Sequence, residues 1–501
     1  MKKLLATILA AASLLVSLSA CASTDDDAAE TTVGETQAVT EAETDDPLKD
    51  NLPEDLNYGG ETITIISRER EGWTSGELTV DEQNGDVVND AVYERNKVVE
   101  NRLGVEIENI KEDAIHESTV VDKVRLAVNS NSGDYDIAAG ANYVILGAST
   151  EGIFADLRTS QYLDFEQPWW MQEYNEAVEF QGRQFAVTGP ICLSMYRFAL
   201  ITFFNKNLFE KASIEYPYDK VRNYEWTMDY QMSLIPMIAS DDGNGQPDFD
   251  LDTFGFATTS TSMGVDPYWG SCGIDIIGRD ENGEYKYVLD IDRLDAVADK
   301  ILDLFYSQDG VWLEGFQIHG LEQDNLRKLF TDGRCGMVTM KLAEVEMSEM
   351  RNMEDDYGVL PMPVYDTNQK KYGTLQHDQF TVLCVPTTVS GDDLDKVSAV
   401  LEAMAVEGAR YITPAYYETA LRYKHMSDPD SWEMLNIIFD NVYVDAGVVY
   451  TAPLEGFYGN LRTIIQAKVN TVSSTYKGLK RKVANNIKKL NTSLSEVGLD
   501  K

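Results

Sequence analysis

The stretch Val87–Ile110, VVNDAVYERNKVVENRLGVEIENI, predicts a helix followed at once by a strand. One apolar stripe recurs at helical spacing and precedes Gly104, a residue type that ends helices. The stripe consists of Val88, Ala91, Val92, Val99 and Leu103. From Val105 to Ile110 apolar and polar residues alternate as they do in a half-buried strand. This stretch is therefore the centre of an alternating α/β pattern.

The pattern continues on both sides. Glu61–Ile66 alternates as a first strand, a second helix begins after Ser118, and Asp134–Ala139 is a third strand. Strands that alternate with helices predict parallel βαβ units with helices on the sheet. Because ligands of such sheets bind at the carboxyl ends of strands, we expect a site at the loop 67–86 and the segment 140–143.

The N-terminus predicts export. After Met1-Lys2-Lys3, an apolar run extends from Leu4 to Leu18, which is shorter than the roughly 20 residues that span a membrane but suits a secretory signal. Leu18-Ser-Ala-Cys21 resembles the lipobox of bacterial lipoproteins. That resemblance implies a signal peptide over residues 1–20, and a lipid on Cys21 that holds the protein on the outer face of the cell membrane. The alternative is an ordinary secretory signal with a chance cysteine.

Residues 21–57 are acidic, rich in Thr, Ser and Ala, and contain no aromatic residue. Such a segment buries too little apolar surface to become ordered, so we expect a disordered tether between the anchor and the body. The 501-residue chain has a formal net charge of −42, which argues against binding to nucleic acid.

The remaining cysteines and acidic residues give no strong site. Cys192, Cys272, Cys335 and Cys384 show no CxxC pairing, and most are expected to be buried free thiols. The segment 241–248, DDGNGQPD, lacks the acid spacing of a calcium loop and predicts a turn. We therefore expect no metal and no cofactor, and no nucleotide or protease motif is present.

Several motifs occur in the order found in one known family. The run Ala91–Ile107 resembles the opening of the extracellular solute-binding proteins of ABC importers, family 1, the carbohydrate type. Later segments that resemble the same family are Tyr135-Asp-Ile137, Gly152–Leu157, Gly182–Val187, Leu200–Phe209, Glu225-Trp-Thr227, Phe330–Met337, Tyr357–Pro363 and Pro414–Tyr417. The likeness extends over roughly residues 60–460.

The resemblance implies an α/β periplasmic-binding-protein fold of type II, with two lobes joined by a hinge and the ligand in the cleft. Lobe 1 would comprise residues 58–195 plus about 380–410, and lobe 2 residues 196–379 plus about 411–501. Cys192 and Cys384 would lie near the two crossovers between lobes, and a disulfide there is an open alternative. The family further implies a monomer without enzymatic activity.

A sugar presents apolar C–H faces and a polar rim, so its site needs aromatic rings and polar side chains. We expect ligand-binding residues at strand ends, crossovers and Gly-rich loops. They are Trp73, Asn142, Tyr143, Tyr196, Trp269 and Glu455. His377 is a further candidate for the cleft, although a structural role fits it equally well.

The predicted function is a lipid-anchored extracellular binding protein that captures a carbohydrate, expected to be an oligosaccharide, and delivers it to an ABC permease. Two alternatives stay open, namely a surface glycoside hydrolase, which would need only a pair of carboxylates, and the same fold with a peptide or another solute as ligand.

The C-terminus predicts a helix docked on the body, because an apolar stripe recurs there at helical spacing. The stripe consists of Leu479, Val483, Ile487, Leu490 and Leu494. The alternative is that the basic face of this helix contacts a membrane.

Overall fold

The computed structural model of the protein describes residues 46–113, 117–315, 321–422 and 429–497. The predicted signal peptide, Cys21 and the first part of the predicted tether lie outside the described residues.

The strands are short and follow the order of the chain. They are β1 Glu61–Glu69, β2 Val105–Asp113, β3 Ile137–Ala141, β4 Leu200–Asn205, β5 Phe254–Thr259, β6 Ile277–Arg279, β7 Tyr285–Tyr287, β8 Val311–Glu314, β9 Cys335–Lys341, β10 Tyr357–Leu360, β11 Thr374–Leu375, β12 Thr381–Cys384 and β13 Val442–Tyr443.

The α-helices are α1 Val87–Leu103, α2 Thr119–Ser130, α3 Asn142–Ala148, α4 Gln172–Val178, α5 Ser194–Arg197, α6 Lys206–Lys211, α7 Tyr218–Arg222, α8 Met228–Ile238, α9 Ser262–Val265, α10 Pro267–Ser271, α11 Ile291–Tyr306, α12 Leu321–Thr331, α13 Ser348–Arg351, α14 Asp392–Glu407, α15 Thr413–Arg422, α16 Pro429–Phe439, α17 Ala446–Val449, α18 Asn460–Gln466 and α19 Val472–Glu496. Single turns of 3₁₀-helix are found at Ser149–Glu151, Leu157–Thr159, Leu342–Glu346 and Phe457–Gly459, and a π-helical turn at Gly408–Ile412.

The first sheet has the strand order β12-β3-β1-β2. Its strand β1 pairs in parallel with both β2 and β3, so that Ile63 lies opposite Ile107 and Ile65 opposite Ile137. The predicted parallel βαβ units are thus confirmed. Strand β12 returns from far along the chain and pairs antiparallel with β3.

Helix α1 begins and ends where its sequence predicts. The Asp86 carboxylate accepts hydrogen bonds from the backbone N–H groups of Val88 and Asn89, both at 3.0 Å, which satisfies two of the free donors at the helix start. Gly104 ends the helix at φ 60°, a left-handed conformation that glycine adopts without strain. The chain then enters β2 directly.

The second sheet has the order β10-β4-β9-β5-β8. Strands β8 and β9 flank β5 in parallel, whereas β4 runs antiparallel to both β9 and β10. All of its strands come from the chain between the third and the last strand of the first sheet. The predicted α/β fold with two lobes is therefore confirmed, while the exact lobe boundaries stay predictions.

The hydrophobic core follows from the alternation of the strands. Ile63 and Ile65 point to one face of the first sheet, where they pack in a cluster that includes residues of α14. Ile66 points to the other face, whose cluster continues without interruption into the second sheet. The two lobes therefore share one apolar interior on that side.

The tether predicted to reach Asn57 ends earlier. Leu48 and Leu52 are buried in the cluster that contains Ile63, and the Asp50 carboxylate accepts bonds from both terminal nitrogens of Arg102 at 2.5 and 2.7 Å. Leu48 and Leu52 supply apolar surface that the acidic composition of this segment did not indicate. The described residues 46–57 are therefore held on the body by these two side chains.

The C-terminal helix α19 docks on the body as predicted. Val483, Ile487, Leu490 and Leu494 are buried, and Leu479 is partly buried against the same core. The lysines and Arg481 of α19 face solvent. Among the described residues, every helix is too short or too polar to cross a membrane.

The segment 241–248 forms the predicted turn. The Asp241 carboxylate accepts from the N–H of Gly243 at 2.6 Å, and Asp242 accepts from that of Asn244 at 3.0 Å, as short polar side chains do in turns. Carboxylate oxygens of Asp241, Asp242 and Asp252 lie within 4.8 Å of one another. These hydrogen bonds from backbone N–H groups to aspartate carboxylates account for the geometry of the loop.

The four described cysteines are buried free thiols, as expected for most of them. Cys192 and Cys384 belong to the clusters on opposite faces of the first sheet, and the Cys384 thiol lies 3.5 Å from the carbonyl oxygen of Ala138. The alternative of a disulfide between them is therefore wrong, because the sheet separates the two sulfur atoms.

We predict that no thiol of the native protein reacts with Ellman's reagent, since burial hides the thiols and raises the pKa of all four. In denaturant, a Cys21→Ser variant should expose four reactive thiols per chain. Two reactive thiols would contradict the structure and restore the disulfide.

Candidate ligand-binding site

The carboxyl edges of the two sheets face each other. On the first sheet, Trp73 follows β1 and Asn142 follows β3. On the second sheet, Lys341 ends β9, and Phe198 precedes the antiparallel strand β4, which begins at the same edge. The Trp73 ring contacts the Phe198 ring edge-on at 5.3 Å between centroids. This contact joins the two edges, and the segment 376–380 before β12 completes the surroundings.

We call this region the interlobe site. It comprises Arg68, Arg70, Trp73, Asn142, Tyr143, Lys341, and Gln376–Gln379.

Trp73 lies at the centre of the interlobe site. The guanidinium carbon of Arg70 stands 3.9 Å from the ring centroid, and the Nζ atom of Lys341 stands 3.4 Å from it. The His377 ring meets it edge-on at 5.5 Å. Cations at such distances are attracted by the electron density of the indole ring. The predicted site residue Trp73 therefore connects charged groups of both lobes.

The side-chain amide of Asn142 is buried and has no hydrogen-bond partner among the described residues. Its backbone N–H donates to the carbonyl oxygen of Phe380 at 2.9 Å, which fixes the start of α3 beside β12. Its side chain is 0 % exposed, yet neither the amide nitrogen nor the amide oxygen has a hydrogen-bond partner among the described residues. Buried polar groups are normally paired, and leaving one unpaired costs about 1–3 kcal/mol. Such a group at a sheet edge is suited to bind a polar ligand.

Gln376 provides a second buried side-chain amide without hydrogen-bond partners within the described chain. It is 2 % exposed, and both of its amide atoms lack a partner in the part of the chain that the structure describes. Its backbone bridges to Ala199, so the two segments that connect the lobes run side by side here. The interlobe site thus contains two amide groups, from two different segments, with unused donors and acceptors.

Tyr143 adds a partly buried phenol next to Asn142. The pKa of Tyr143 is raised to about 12, mainly by burial and to a smaller extent by the nearby carboxylates of Glu117 and Asp378. The hydroxyl group is therefore protonated at neutral pH and available both to donate and to accept a hydrogen bond.

His377 is neutral in the interlobe site. Burial lowers the pKa of His377 to about 4, against the attraction of Asp378. Its Nδ1 atom accepts a 3.4 Å hydrogen bond from the N–H of Gln379. The approach of Asp378 to Nδ1 at 3.3 Å is therefore a contact rather than an ion pair. His377 serves to shape the site beside Trp73.

A second set of charges borders the site from lobe 2. The Asp378 carboxylate accepts a 2.6 Å hydrogen bond from the hydroxyl of Tyr458, which in turn accepts one of 2.6 Å from Arg462. Arg462 also pairs with the buried Asp266. Burial raises the pKa of Asp266 to about 6 although Arg462 opposes the rise. This chain of bonds holds the segment 376–380 against α18.

Three predicted site residues lie elsewhere. The structure places Tyr196 and Trp269 in the hydrophobic core, where they are 1 % and 0 % exposed. Tyr196 stacks on Tyr416 at 5.1 Å, and Trp269 meets Tyr476 edge-on at 6.2 Å. Large rings fill the core well, which explains their burial.

Glu455 faces solvent, and its carboxylate pairs with Lys482 of α19 at 2.6 Å. Among the described side chains, no hydrogen bond or ring contact joins Tyr196, Trp269 or Glu455 to Trp73, Asn142 or Tyr143. Contact of these three residues with a ligand stays a prediction that the geometry does not favour.

Sequence analysis missed Arg70, Lys341 and Gln376. Each had a usable signal, because Arg70 lies in the same loop as Trp73, Lys341 ends a strand, and Gln376 precedes the candidate His377. The rule that ligands gather at the carboxyl ends of strands would have selected Lys341 once β9 was recognised.

Known proteins share this architecture. The family model of bacterial extracellular solute-binding proteins matches residues 104–383, more than half of the chain, whereas no curated protein matches it in sequence. A sugar transporter from Rhizobium etli in an open conformation is 16 % identical, with a TM-score of 0.54 over 87 % of this chain and 100 % of that one.

Two further solved structures are similar. One is an ABC substrate-binding protein from Listeria monocytogenes in complex with cycloalternan, with 13 % identity and a TM-score of 0.51 over 87 % of this chain and 99 % of that one. The other is a solute-binding protein from Thermotoga lettingae bound with α-D-tagatose, with 15 % identity and a TM-score of 0.52 over 86 % and 100 %. These likenesses show a common two-lobed fold. Together with the family match, they establish that the chain belongs to the bacterial extracellular solute-binding proteins.

Proposed function

We propose that this protein captures a carbohydrate outside the cell and delivers it to the permease of an ABC transporter. The observation that supports this most is the pair of buried amides, Asn142 and Gln376, whose donors and acceptors are unused. Sugar hydroxyls both donate and accept hydrogen bonds, so they match amide groups better than an apolar ligand would. Tyr143 and Trp73 provide the aromatic surface beside them.

The ligands of the similar structures support the same class. The proteins from Listeria and Thermotoga were solved with cycloalternan and tagatose. At these low identities only the fold is shared, so the ligand of this chain rests on its own residues.

Capture would involve both lobes. Trp73 follows a strand of the first sheet, and Lys341 ends a strand of the second, with 3.4 Å between the ammonium and the ring centroid. A ligand that contacts both edges binds the closed arrangement better than the open one, and therefore shifts the population toward closure. A permease could then distinguish loaded from empty protein.

Attachment to the membrane would come from Cys21, which lies outside the described residues. Two acyl chains on one cysteine anchor a protein stably, and the acidic segment that follows would let the body reach the permease. Without an anchor, a binding protein exported across a single membrane would diffuse away.

Replacing Asn142 by leucine tests the site. The variant keeps the branching of the side chain but replaces two hydrogen-bonding atoms with methyl groups, so affinity for a saccharide found by thermal-shift screening should fall about tenfold. Because those atoms are unpaired in the free protein, the free energy of unfolding should stay the same or rise. Isothermal titration and chemical denaturation measure the two effects.

Asn491→Leu is the matched control. The Asn491 amide is fully used, since it accepts from the N–H of Tyr285 at 3.2 Å and donates to its carbonyl oxygen at 2.9 Å. This variant should lose about 2 kcal/mol of stability and keep its affinity. Unchanged affinity of Asn142→Leu would remove Asn142 from the site.

A binding protein should return its ligand unaltered. We predict that a bound oligosaccharide, after prolonged incubation with an equimolar amount of protein, elutes in chromatography as a single unchanged species. A hydrolysis product that disappears on replacement of one carboxylate would support the alternative of a glycoside hydrolase.

Cys21→Ser should release the protein from the membrane fraction into the medium with its saccharide affinity intact. Fractionation of cells that express the wild type and the variant measures this. A variant that stays with the membrane would contradict lipid anchoring at Cys21.

A further inference from the structure

Lys341 is a buried cation that forms no ion pair with a described carboxylate. It is 3 % exposed, and its ammonium group makes no hydrogen bond or ion pair with any residue that the structure describes. Its Nζ atom lies 3.4 Å from the centroid of the Trp73 ring. A buried charge is expensive unless it is paired, and a cation–π contact compensates only part of that cost.

The carboxylates nearest to Lys341 are already used. Glu344 pairs with Arg327 at 2.6 Å. Glu346 binds Arg197 through both carboxylate oxygens, at 2.9 and 3.0 Å. Glu344 shares the guanidinium group of Arg327 with Asp324 at 2.5 Å and Glu349 at 3.6 Å. Neither Glu344 nor Glu346 forms an ion pair with the ammonium of Lys341.

Arg70 is also poorly matched. Its guanidinium group stands over the same ring as Lys341, 3.9 Å from the centroid. Its acid is Glu117 at 3.7 Å, but Glu117 binds Arg68 more closely, at 2.6 Å. Arg68 and Arg70 thus share one carboxylate, and Arg70 is the more distant of the two.

The acids on the side of lobe 2 have partners as well. The Asp378 carboxylate accepts a hydrogen bond from the Tyr458 hydroxyl and lies 4.0 Å from Arg462, which is itself paired with Asp266. Neither carboxylate forms an ion pair with Lys341.

We propose that the interlobe site binds a saccharide with a negatively charged group, a carboxylate or a sulfate ester, held by Lys341. The inference rests on the proposed function and specifies its ligand class. An anion beside Lys341 would form a charge-assisted hydrogen bond with its ammonium group, and Arg70, which contacts the same ring, would add to the attraction, while Asn142 and Gln376 bind hydroxyl groups.

The charge of Lys341 makes this binding depend on pH. The pKa of Lys341 is lowered to about 8, mainly by burial and to a smaller extent by Arg70 and Arg327, while Glu344 and Glu346 oppose the shift. The neutral His377 adds no charge at this pH. As pH rises through 8 the ammonium loses its proton while a carboxylate or sulfate stays ionised, so affinity for the anionic sugar should fall. Between pH 7 and pH 9 the loss is about tenfold for a group with this pKa.

The test compares saccharides that differ only in charge. Oligogalacturonates would be paired with their methyl esters, and sulfated galacto-oligosaccharides with their unsulfated forms, in a thermal-shift screen followed by calorimetry at pH 7. We expect an acidic member, from the carboxylate or the sulfate set, to bind at least about tenfold more tightly than its neutral counterpart. The set that responds identifies the source of the charge.

Lys341→Met should abolish this preference without lowering the melting temperature, because it removes a buried unpaired charge. Lys341→Arg should retain most of it. The matched control is Lys396→Met, since the Lys396 side chain is also mostly buried but pairs with Glu61 at 2.5 Å. This variant should lose stability and keep the preference.

The outcomes separate the two proposals. If a neutral saccharide binds as tightly as its acidic partner, the inference fails and the proposed function stands. If no saccharide of either kind binds, both fail. If an acidic ligand binds with the same affinity from pH 7 to pH 9, and Lys341→Met leaves that affinity unchanged, the proposed role of Lys341 is wrong. Should Lys341→Met not fold, Lys341→Arg and the pH profile of the wild type decide the same question.

Discussion

The contact of Trp73 with Phe198 and Lys341 is the interaction on which the candidate site depends. It joins the carboxyl edges of two sheets that have separate strand orders. Each sheet contains an antiparallel strand next to a crossover, β12 in the first and β4 in the second, and the segments before these strands run side by side at Ala199 and Gln376. Because both crossovers meet at this edge, side chains from distant parts of the chain surround one indole ring.

The polar chemistry of this region supports the proposed ligand site. In a folded interior nearly all buried polar groups have partners, yet the side chains of Asn142 and Gln376 have none among the described residues, and the ammonium of Lys341 lies over an aromatic ring instead of a carboxylate. Asn491 is satisfied by the backbone of Tyr285, whereas Gln231 and Gln323 also lack described partners for both amide atoms. The position of Asn142 and Gln376 beside the facing edges of the two sheets, and not the missing partners alone, therefore favours a ligand there.

Local sequence patterns predicted much of the fold. Helix α1, its stop at Gly104 and the parallel strands β1, β2 and β3 follow from periodicity and capping, which act over a few residues. The same patterns located Trp73, Asn142 and Tyr143, because the end of a strand can be recognised from the strand itself. Lys341 and Gln376 had weaker local signals, a strand end and a neighbouring histidine, and their contacts are set by pairings between residues more than a hundred positions apart. Tyr196 and Trp269 show the opposite case, where aromatic residues in loop-like sequence are needed to fill the core. Net charge was equally uninformative about the site, because a chain of charge −42 still places the cations of Arg70 and Lys341 against the Trp73 ring.

A crystal structure with the most strongly stabilising saccharide of the screen tests the central claim most directly. We predict density for the sugar between the end of β3 and the end of β9, with hydroxyl groups within hydrogen-bonding distance of Asn142 and Gln376. A separate cavity of about 250 Å³, lined by residues that include Trp170, Met195 and Asp440, offers another location. A sugar bound there, with both amides still unpaired, would contradict the account.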